Sequence, residues 1–475
     1  MATFHVVNFG CRASQADGAA LRGQLLAAGL IEARDPAASD VAILNTCTVT
    51  ATADAEVRQT IRRINRQNPG CRILVTGCYA QRAPEEIAGL KGVAWVVGNS
   101  HKHKVAEIVS LDFACTTCLE EPKRSPRPAF SHPVPLGGSA PSLPRPRVEP
   151  DPALPGQSVN VWMGDIGPEF HFSPALPDDR TRPTLKIQDG CNARCSFCII
   201  PAVRGRSRSL PTAQAISQIR EMSSKGTKEV VLSGINLGSY GRDLTPRTTF
   251  LDLVKQILDE TAMPRLRISS IEPMDVSPEL IELVASEPRL ADHFHVPLQS
   301  GSDRVLRQMN RRYWTSHYAE RILAIREAMP YGGIGADVMA GFPGETSQDH
   351  MTSVRFIGSL PFTYLHIFPY SSRPSTAAAD RHDHIEGRIA HERASEIHGL
   401  IARKREQFLG AQIGRTLSAV TLGKSPRSRP EALSSNYLSC WLPGCDLPPN
   451  CMVNIRAQEM IGGGLRCELE ESRQI

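Results

Sequence analysis

The chain has 475 residues, enough at about 150 per domain for roughly three domains with their own cores, so it is not a small stapled scaffold. Its 54 Lys+Arg against 49 Asp+Glu leave a net charge of +5 and a pI near 8.6, a mild basic excess that permits an RNA partner without requiring one. It carries 13 Cys but no basic n-region at its start and no apolar run near ~20 residues, so neither a signal peptide nor a membrane span is expected; in a reducing, cytoplasmic setting metal binding or catalysis explains the thiols better than disulfides.

Residues 1–110 alternate short apolar strands with helical stretches. Three strands end alike: Phe4 to Phe9 runs into Gly10-Cys11, Val41 to Leu44 into Asn45-Thr46-Cys47, and Arg72 to Val75 into Thr76-Gly77-Cys78. Helical patterns near 15–28, 50–67 and 84–90 follow them, which predicts a parallel sheet. The carboxyl ends of parallel strands share one edge, where ligands bind, so Cys11, Cys47 and Cys78 are expected to converge on a shared metal centre. Cys71 starts a strand, on the opposite edge, and reads as packing. Residues 111–183 hold 15 of the 36 prolines, among them Pro122, Pro126, Pro128, Pro133, Pro135, Pro141, Pro144 and Pro146, and read as an insertion or linker without regular structure.

Strand-helix alternation returns over 184–410, and its first strand delivers Gly190-Cys191-Asn192-Ala193-Arg194-Cys195-Ser196-Phe197-Cys198. The CxxxCxxC spacing offers three soft thiolates, able to hold three irons of one 4Fe-4S cube and leave the fourth without a protein ligand. A zinc site would need a fourth ligand, and no His follows at a finger-like spacing.

With the aromatic Phe197 before its last cysteine, this loop resembles that of the radical S-adenosylmethionine (SAM) enzymes. Ile199-Ile200-Pro201-Ala202-Val203-Arg204-Gly205-Arg206-Ser207-Arg208, Leu232-Ser233-Gly234-Ile235-Asn236-Leu237-Gly238, Ser269-Ser270-Ile271-Glu272-Pro273, His295-Val296-Pro297-Leu298-Gln299-Ser300-Gly301-Ser302 and Gly341-Phe342-Pro343-Gly344-Glu345 resemble, in order and spacing, the methylthiotransferases of that superfamily. The Ile-Ile-Pro and Asn-Leu-Gly-Ser-Tyr variants, with Phe368-Pro369-Tyr370-Ser371, are most similar to the branch acting on N6-threonylcarbamoyladenosine of tRNA. The resemblance implies that Cys191, Cys195 and Cys198 are catalytic ligands of a cluster whose open iron takes SAM, and that Cys11, Cys47 and Cys78 hold a second 4Fe-4S cluster carrying the sulfur to be inserted. It implies a methylthio group placed at C2 of the adenine, a carbon whose hydrogen is too weakly acidic for a side-chain base and needs a 5'-deoxyadenosyl radical. A reducing electron donor and a sulfur donor are implied as well. The family's first Gly-Cys is usually followed by an Asn and then a carboxylate; here Ser14 stands in the Asn position, ahead of Asp17.

Gly234, Asn236, Ser269 and Ser270 fall at or near strand ends of a partial (β/α)6 barrel, and Gln299 follows the strand Phe294 to Val296; with Phe197 these are the candidate SAM contacts. The Gly341 to Gly344 run reads as a tight turn. Arg204, Arg206 and Arg208 are the candidate phosphate contacts beside the chemistry, and Arg58, Arg62, Arg63 and Arg66 make a second basic row at helical spacing. Residues 411–475, with strand-like runs Leu417 to Leu422 and Met452 to Ile455, resemble the TRAM module, a small antiparallel barrel that binds RNA, although 7 basic and 6 acidic residues give it little net charge. Tyr437 and Trp441 there are expected in its core. Cys115, Cys118, Cys440, Cys445, Cys451 and Cys467 lie outside the expected chemistry. The fold class is therefore α/β in three domains, 1–110, 184–410 and 411–475, with the insertion between the first two. The competing readings are a methylthiotransferase for isopentenyladenosine in tRNA or for a ribosomal-protein aspartate, and a non-catalytic iron-sulfur RNA-binding sensor.

Overall fold

The computed structural model describes residues 2–116, 159–167, 181–423 and 430–470. Most of the proline-rich stretch, with Cys118, lies outside the described residues. The chain divides into two compact units, one of residues 1–9, 21–46 and 55–165 and the other of residues 10–20, 47–54 and 166–475.

The first unit is built on a six-stranded sheet. Its strands are β1 (Thr3–Asn8), β2 (Ile31–Glu32), β3 (Val41–Thr46), β4 (Arg72–Gly77), β5 (Val93–Val97) and β6 (Asn160–Trp162), in the order β2-β1-β3-β4-β5-β6 and parallel throughout. Helices α1 (Arg12–Ala27), α2 (Ala51–Gln67), α3 (Cys78–Arg82), α4 (Pro84–Ala88) and α5 (Val105–Thr116) make the connections that parallel strands require. Central β3 is buried at every residue, as a strand covered on both faces must be. Leu21, Leu25, Ile43, Leu74 and Trp95 lie in its core. Two features differ from expectation: α5 runs on to Thr116, and β6 forms within the stretch read as structureless, its Val161 in register with Val96. A short segment beside the open edge of β5 gains ladder bonds along one side, which outweighs the composition around it. Cys71 is buried, its thiol beside Pro36 O at 3.5 Å, in keeping with a packing role.

In the second unit β7 (Thr184–Lys186), β8 (Gln188–Asp189), α6 (Ile200–Arg204), β9 (Arg208–Ser209), α7 (Thr212–Ser224), β10 (Glu229–Ser233), α8 (Phe250–Glu260), β11 (Arg265–Ile268), α9 (Pro278–Ser286), β12 (His293–His295), α10 (Asp303–Gln308), α11 (Thr315–Ala328), β13 (Gly333–Ala340), α12 (Ser347–Ser359), β14 (Tyr364–Pro369) and α13 (Gly387–Gly410) follow one another. Strands β11-β10-β7 and β12-β13-β14 form two parallel sheets, and the parallel bridge Ser270↔His295 joins them into an open six-stranded barrel. Helices start where their sequences supply caps: Thr249 with Asp252 closes a capping box on α8, and Thr346 with Asp349 one on α12. The chain ends in a closed barrel of β15 (Thr416–Thr421), β16 (Glu431–Ser434), β17 (Ser439–Trp441), β18 (Met452–Ile461) and β19 (Gly464–Leu469), antiparallel except where β17 meets β19. Cys440 and Cys467 are buried in its core. Arg267 of β11, buried, ties the two barrels by donating to the carbonyls of Ser435 (2.8 Å) and Ser434 (3.0 Å).

Candidate active site

The cysteine loop leaves β8 through Gly190, whose φ of +69° and a Cβ position only 2.0 Å from Arg206 O admit no side chain. Backbone bonds then fix the loop: Cys191 N donates to Gly205 O (3.1 Å), Ser196 N to Met309 O (3.0 Å) and Ala378 N to Ser196 O (2.8 Å). Each of its sulfurs meets N–H donors. Ala193 N lies 3.3 Å and Asn236 Nδ2 3.9 Å from Cys191 Sγ, Arg311 Nη1 lies 3.3 Å from Cys195 Sγ, and the Ile200 amide bonds Cys198. Burial, with the neighbouring Cys195 and Cys191, pushes the Cys198 thiol up to about 12. Burial and crowding leave these sulfurs poorly placed as three bare thiolates, and the N–H donors around them suit the ligands of an iron-sulfur cluster, whose sulfurs take such bonds.

This loop opens on a cavity of about 730 Å³ at the carboxyl ends of the barrel strands. Cys191, Cys195, Phe197, Cys198, Gly234, Asn236, Ser269, Ser270 and Gln299 all line it, so the sequence-predicted set is brought together. Cys11 lines the same cavity. Gln299 sits at φ +65°, and its buried Oε1 has no hydrogen-bond partner among the described residues, a strained polar residue on a cavity wall. Ser300 instead bonds Ser353 (3.3 Å) as scaffold, and Gly341 and Gly344 adopt positive φ in the expected turn, which Glu345 Oε2 closes by accepting from Gly341 N (2.8 Å).

Cys47 directly follows Thr46 of β3 and Cys78 directly follows Gly77 of β4, and Thr46 and Gly77 are register partners. In the first unit Cys78 Sγ accepts from Asn99 Nδ2 at 3.7 Å. In the second, Gly10 adopts φ +89°, and a Cβ added there would lie 2.2 Å from Cys47 Cβ, so glycine lets the Cys47 side chain sit against the Cys11 turn. Ser14 Oγ lies 3.6 Å from Cys11 Sγ and accepts from Arg204 Nη2 at 3.4 Å, so the residue in the usual Asn position still puts a hydroxyl at the cysteine.

Two of the three arginines expected on phosphate are otherwise engaged. Arg204 is 2% exposed and ion-paired to Asp189 (2.9 Å) and Asp17 (3.0 Å), while Lys186 bridges the same two carboxylates. Arg208 is buried and donates to Gly167 O (3.1 Å) and Arg204 O (2.6 Å). A guanidinium enclosed by such partners cannot reach a nucleic-acid backbone, so only Arg206, which is exposed, keeps that reading. On α2, Arg62, Arg63 and Arg66 are exposed, while Arg58 pairs with Glu86 at 2.8 Å.

The cavity also holds groups that sequence reasoning left out: Arg12, Glu272, His293, His295, Arg311, Asp337, Tyr364 and His366. Arg311 pairs with Glu272 while touching Cys195. Asp337 accepts from His366 Nδ1 (3.2 Å) and lies 3.3 Å from His295 Nε2; burial opposes its charge, but the two histidines outweigh it and hold its carboxyl well below the usual range. Glu272 and His295 lay inside the quoted motifs, and the strand-end rule that found Ser269 applies equally to the strand-borne His293 and His295. Tyr437, expected in the barrel core, instead lines the cavity, because φ +68° turns its backbone outward at the β16–β17 hairpin.

Residues 3–98 match the model described as "Uncharacterized protein family UPF0004" and residues 185–357 that of the "Radical SAM superfamily". The chain is 34% identical to "Threonylcarbamoyladenosine tRNA methylthiotransferase MtaB" of Aquifex aeolicus, over 90% of this chain and 94% of that one. It is 36% identical to the protein of the same name from Bacillus subtilis, over 85% of this chain and 80% of that one. Among solved structures it is similar in fold to the radical SAM methyltransferase TsrM of Kitasatospora setae, with a TM-score of 0.51 at 14% identity, covering 79% of this chain and 74% of that one.

Proposed function

This chain belongs to the radical S-adenosylmethionine methylthiotransferases, and on that premise we propose that it inserts a methylthio group at C2 of N6-threonylcarbamoyladenosine beside the anticodon of tRNA. The observation that carries the reading is one cavity onto which Cys191, Cys195 and Cys198 open together with Cys11, so that a member of each cysteine triad faces the same space. In this reading Cys191, Cys195 and Cys198 hold one 4Fe-4S cluster, and Cys11, Cys47 and Cys78 hold the second. Bound there, the first cluster would supply the electron that cleaves SAM to the radical attacking C2, and the second the sulfur.

The chain's own part is to bind, orient and exclude. Asn236 and Arg311 donate to the sulfurs of Cys191 and Cys195, and Glu272 fixes the Arg311 guanidinium. Phe197, Gly234, Ser269, Ser270 and Gln299 are the proposed SAM contacts on the cavity wall. Arg206 and the exposed arginines of α2 are the proposed phosphate contacts. The boundaries 1–110, 184–410 and 411–475 are kept as functional domains, the last as the RNA-binding TRAM-like barrel. An external reductant and a sulfur source complete the cycle, which runs where tRNA is found, in the cytoplasm. No helix among the described residues is long and apolar enough to cross a membrane.

Mass spectrometry of tRNA nucleosides from a deletion strain tests this. Loss of the methylthio form of threonylcarbamoyladenosine is expected; loss of the isopentenyl form instead would move the assignment to that substrate.

A further inference from the structure

Two of the four arginines that line the cavity are paired with carboxylates. Arg311 faces Glu272, and Arg242 pairs with Asp275 at 3.1 Å. Arg12 differs. It is half-buried, its Nη2 donates to the neutral Tyr437 hydroxyl at 3.1 Å, and it meets no carboxylate among the described residues. Its surroundings are short of negative charge. Behind Tyr437, whose ring lies 5.5 Å from the Arg267 guanidinium, the single buried carboxylate of Glu229 already serves Arg267 (2.7 Å), Arg182 (3.3 Å) and Arg265 (3.6 Å). Beside Tyr437, at 4.7 Å between ring centres, stands His293, 3% exposed; its Nε2 shares the Tyr364 hydroxyl at 2.8 Å and its Nδ1 has no partner among the described residues. Burial, with the charges of Arg267, His295, Arg12 and Arg182, holds this imidazole neutral, so the positive charge of this corner comes from its guanidinium groups.

A half-buried guanidinium and a phenol that share one hydrogen bond, in a corner with excess positive charge and an unpartnered buried nitrogen, suit a small anionic group with two oxygens. We propose that Arg12 and Tyr437 bind the carboxylate of the N6-threonylcarbamoyl group and so select this adenosine over one bearing an uncharged N6 substituent. The inference rests on the function proposed above and adds the residues that read the substrate's side chain. A tRNA phosphate offers the same oxygens, and the test separates the two. Arg312 also lines the cavity, but it is exposed, at the rim.

The experiment measures binding of anticodon stem-loops to anaerobically reconstituted holoenzyme at matched iron content. Three loops are compared, with threonylcarbamoyladenosine, with the same nucleoside whose carboxylate is converted to the amide, and with plain adenosine. Wild type is expected to favour the carboxylate over the amide by about tenfold or more, as a hydrogen bond to a charged group implies. R12Q is expected to lose that preference while binding the adenosine loop as wild type does, R12K to keep part of it, and Y437F to reduce it. An R12Q enzyme that still discriminates overturns the inference, and so does equal weakening toward all three loops, which places Arg12 on a backbone phosphate. If wild type converts threonylcarbamoyladenosine to its methylthio form while R12Q discriminates unchanged, only this inference falls. If wild type neither discriminates nor modifies that nucleoside, the function itself is misassigned.

Discussion

Single residues carry unequal burdens here, and the arginines show it best. Glu229, itself fully buried, holds three of them; burial would raise its carboxyl, but Arg267, Arg182 and Arg265 outweigh that and hold it at about 2. Replacing it by Gln leaves the guanidinium groups uncompensated, and the variant should lose about 3–5 kcal/mol of stability, read as a lower thermal midpoint at pH 7. Because the carboxyl is depressed in the fold, its contribution is complete above an ordinary carboxylate pKa of about 4.5 and disappears as pH falls toward about 2, so wild type and E229Q should converge in acid. Arg204 and Arg206 should separate in the same way. R204A removes one of the two cations that Asp17 and Asp189 share and should lower the midpoint by a comparable amount, whereas R206A should leave it unchanged and reduce the salt slope of tRNA binding by about one. Sequence alone put these two arginines in one class, because spacing records that a residue is basic and near a motif. Which arginine is enclosed depends on Asp17, which lies 187 positions from Arg204 along the chain.

At the scale of elements, the strand-end rule was the most informative reading. β1, β3 and β4 stop within three residues of Cys11, Cys47 and Cys78, and alternation of strand and helix sufficed to place them on one edge. The start of α1 was less legible: the periodicity suggested residue 15, but the helix begins at Arg12, which puts Ser14 and Asp17 one turn apart on the face that meets Arg204. β6 was invisible because three residues have no periodicity of their own and acquire it from the neighbouring β5. The turn at Gly10 gives an element-scale test. A methyl group there would collide with the Cys47 side chain and shift the turn, so G10A should lower reconstituted iron from about eight to about four per chain while SAM cleavage persists. Iron analysis beside a cleavage assay checks it, and a variant retaining all its iron would show that the turn tolerates the side chain.

Across the whole molecule, the order of motifs conveyed the barrel, the cluster loop and the family, since most of the motifs occupy strand ends and strand ends share one face. The cavity's remaining wall could not be read that way. Arg12 and Tyr437 are 425 positions apart, come from different elements and belong to no common motif, so only folding brings them together. The modest net charge was equally uninformative until burial divided the basic residues into those spent internally and those left for RNA. Coupling of radical generation to sulfur insertion on a threonylcarbamoylated adenine should take place in this one cavity. Its most direct test is turnover by the anaerobically reconstituted, reduced enzyme, with SAM and a tRNA carrying threonylcarbamoyladenosine, followed by nucleoside mass spectrometry. Wild type should yield the methylthio form of threonylcarbamoyladenosine and C47A none, although C47A still cleaves SAM; product formed equally by C47A, or methylthiolation of isopentenyladenosine instead, would refute that coupling.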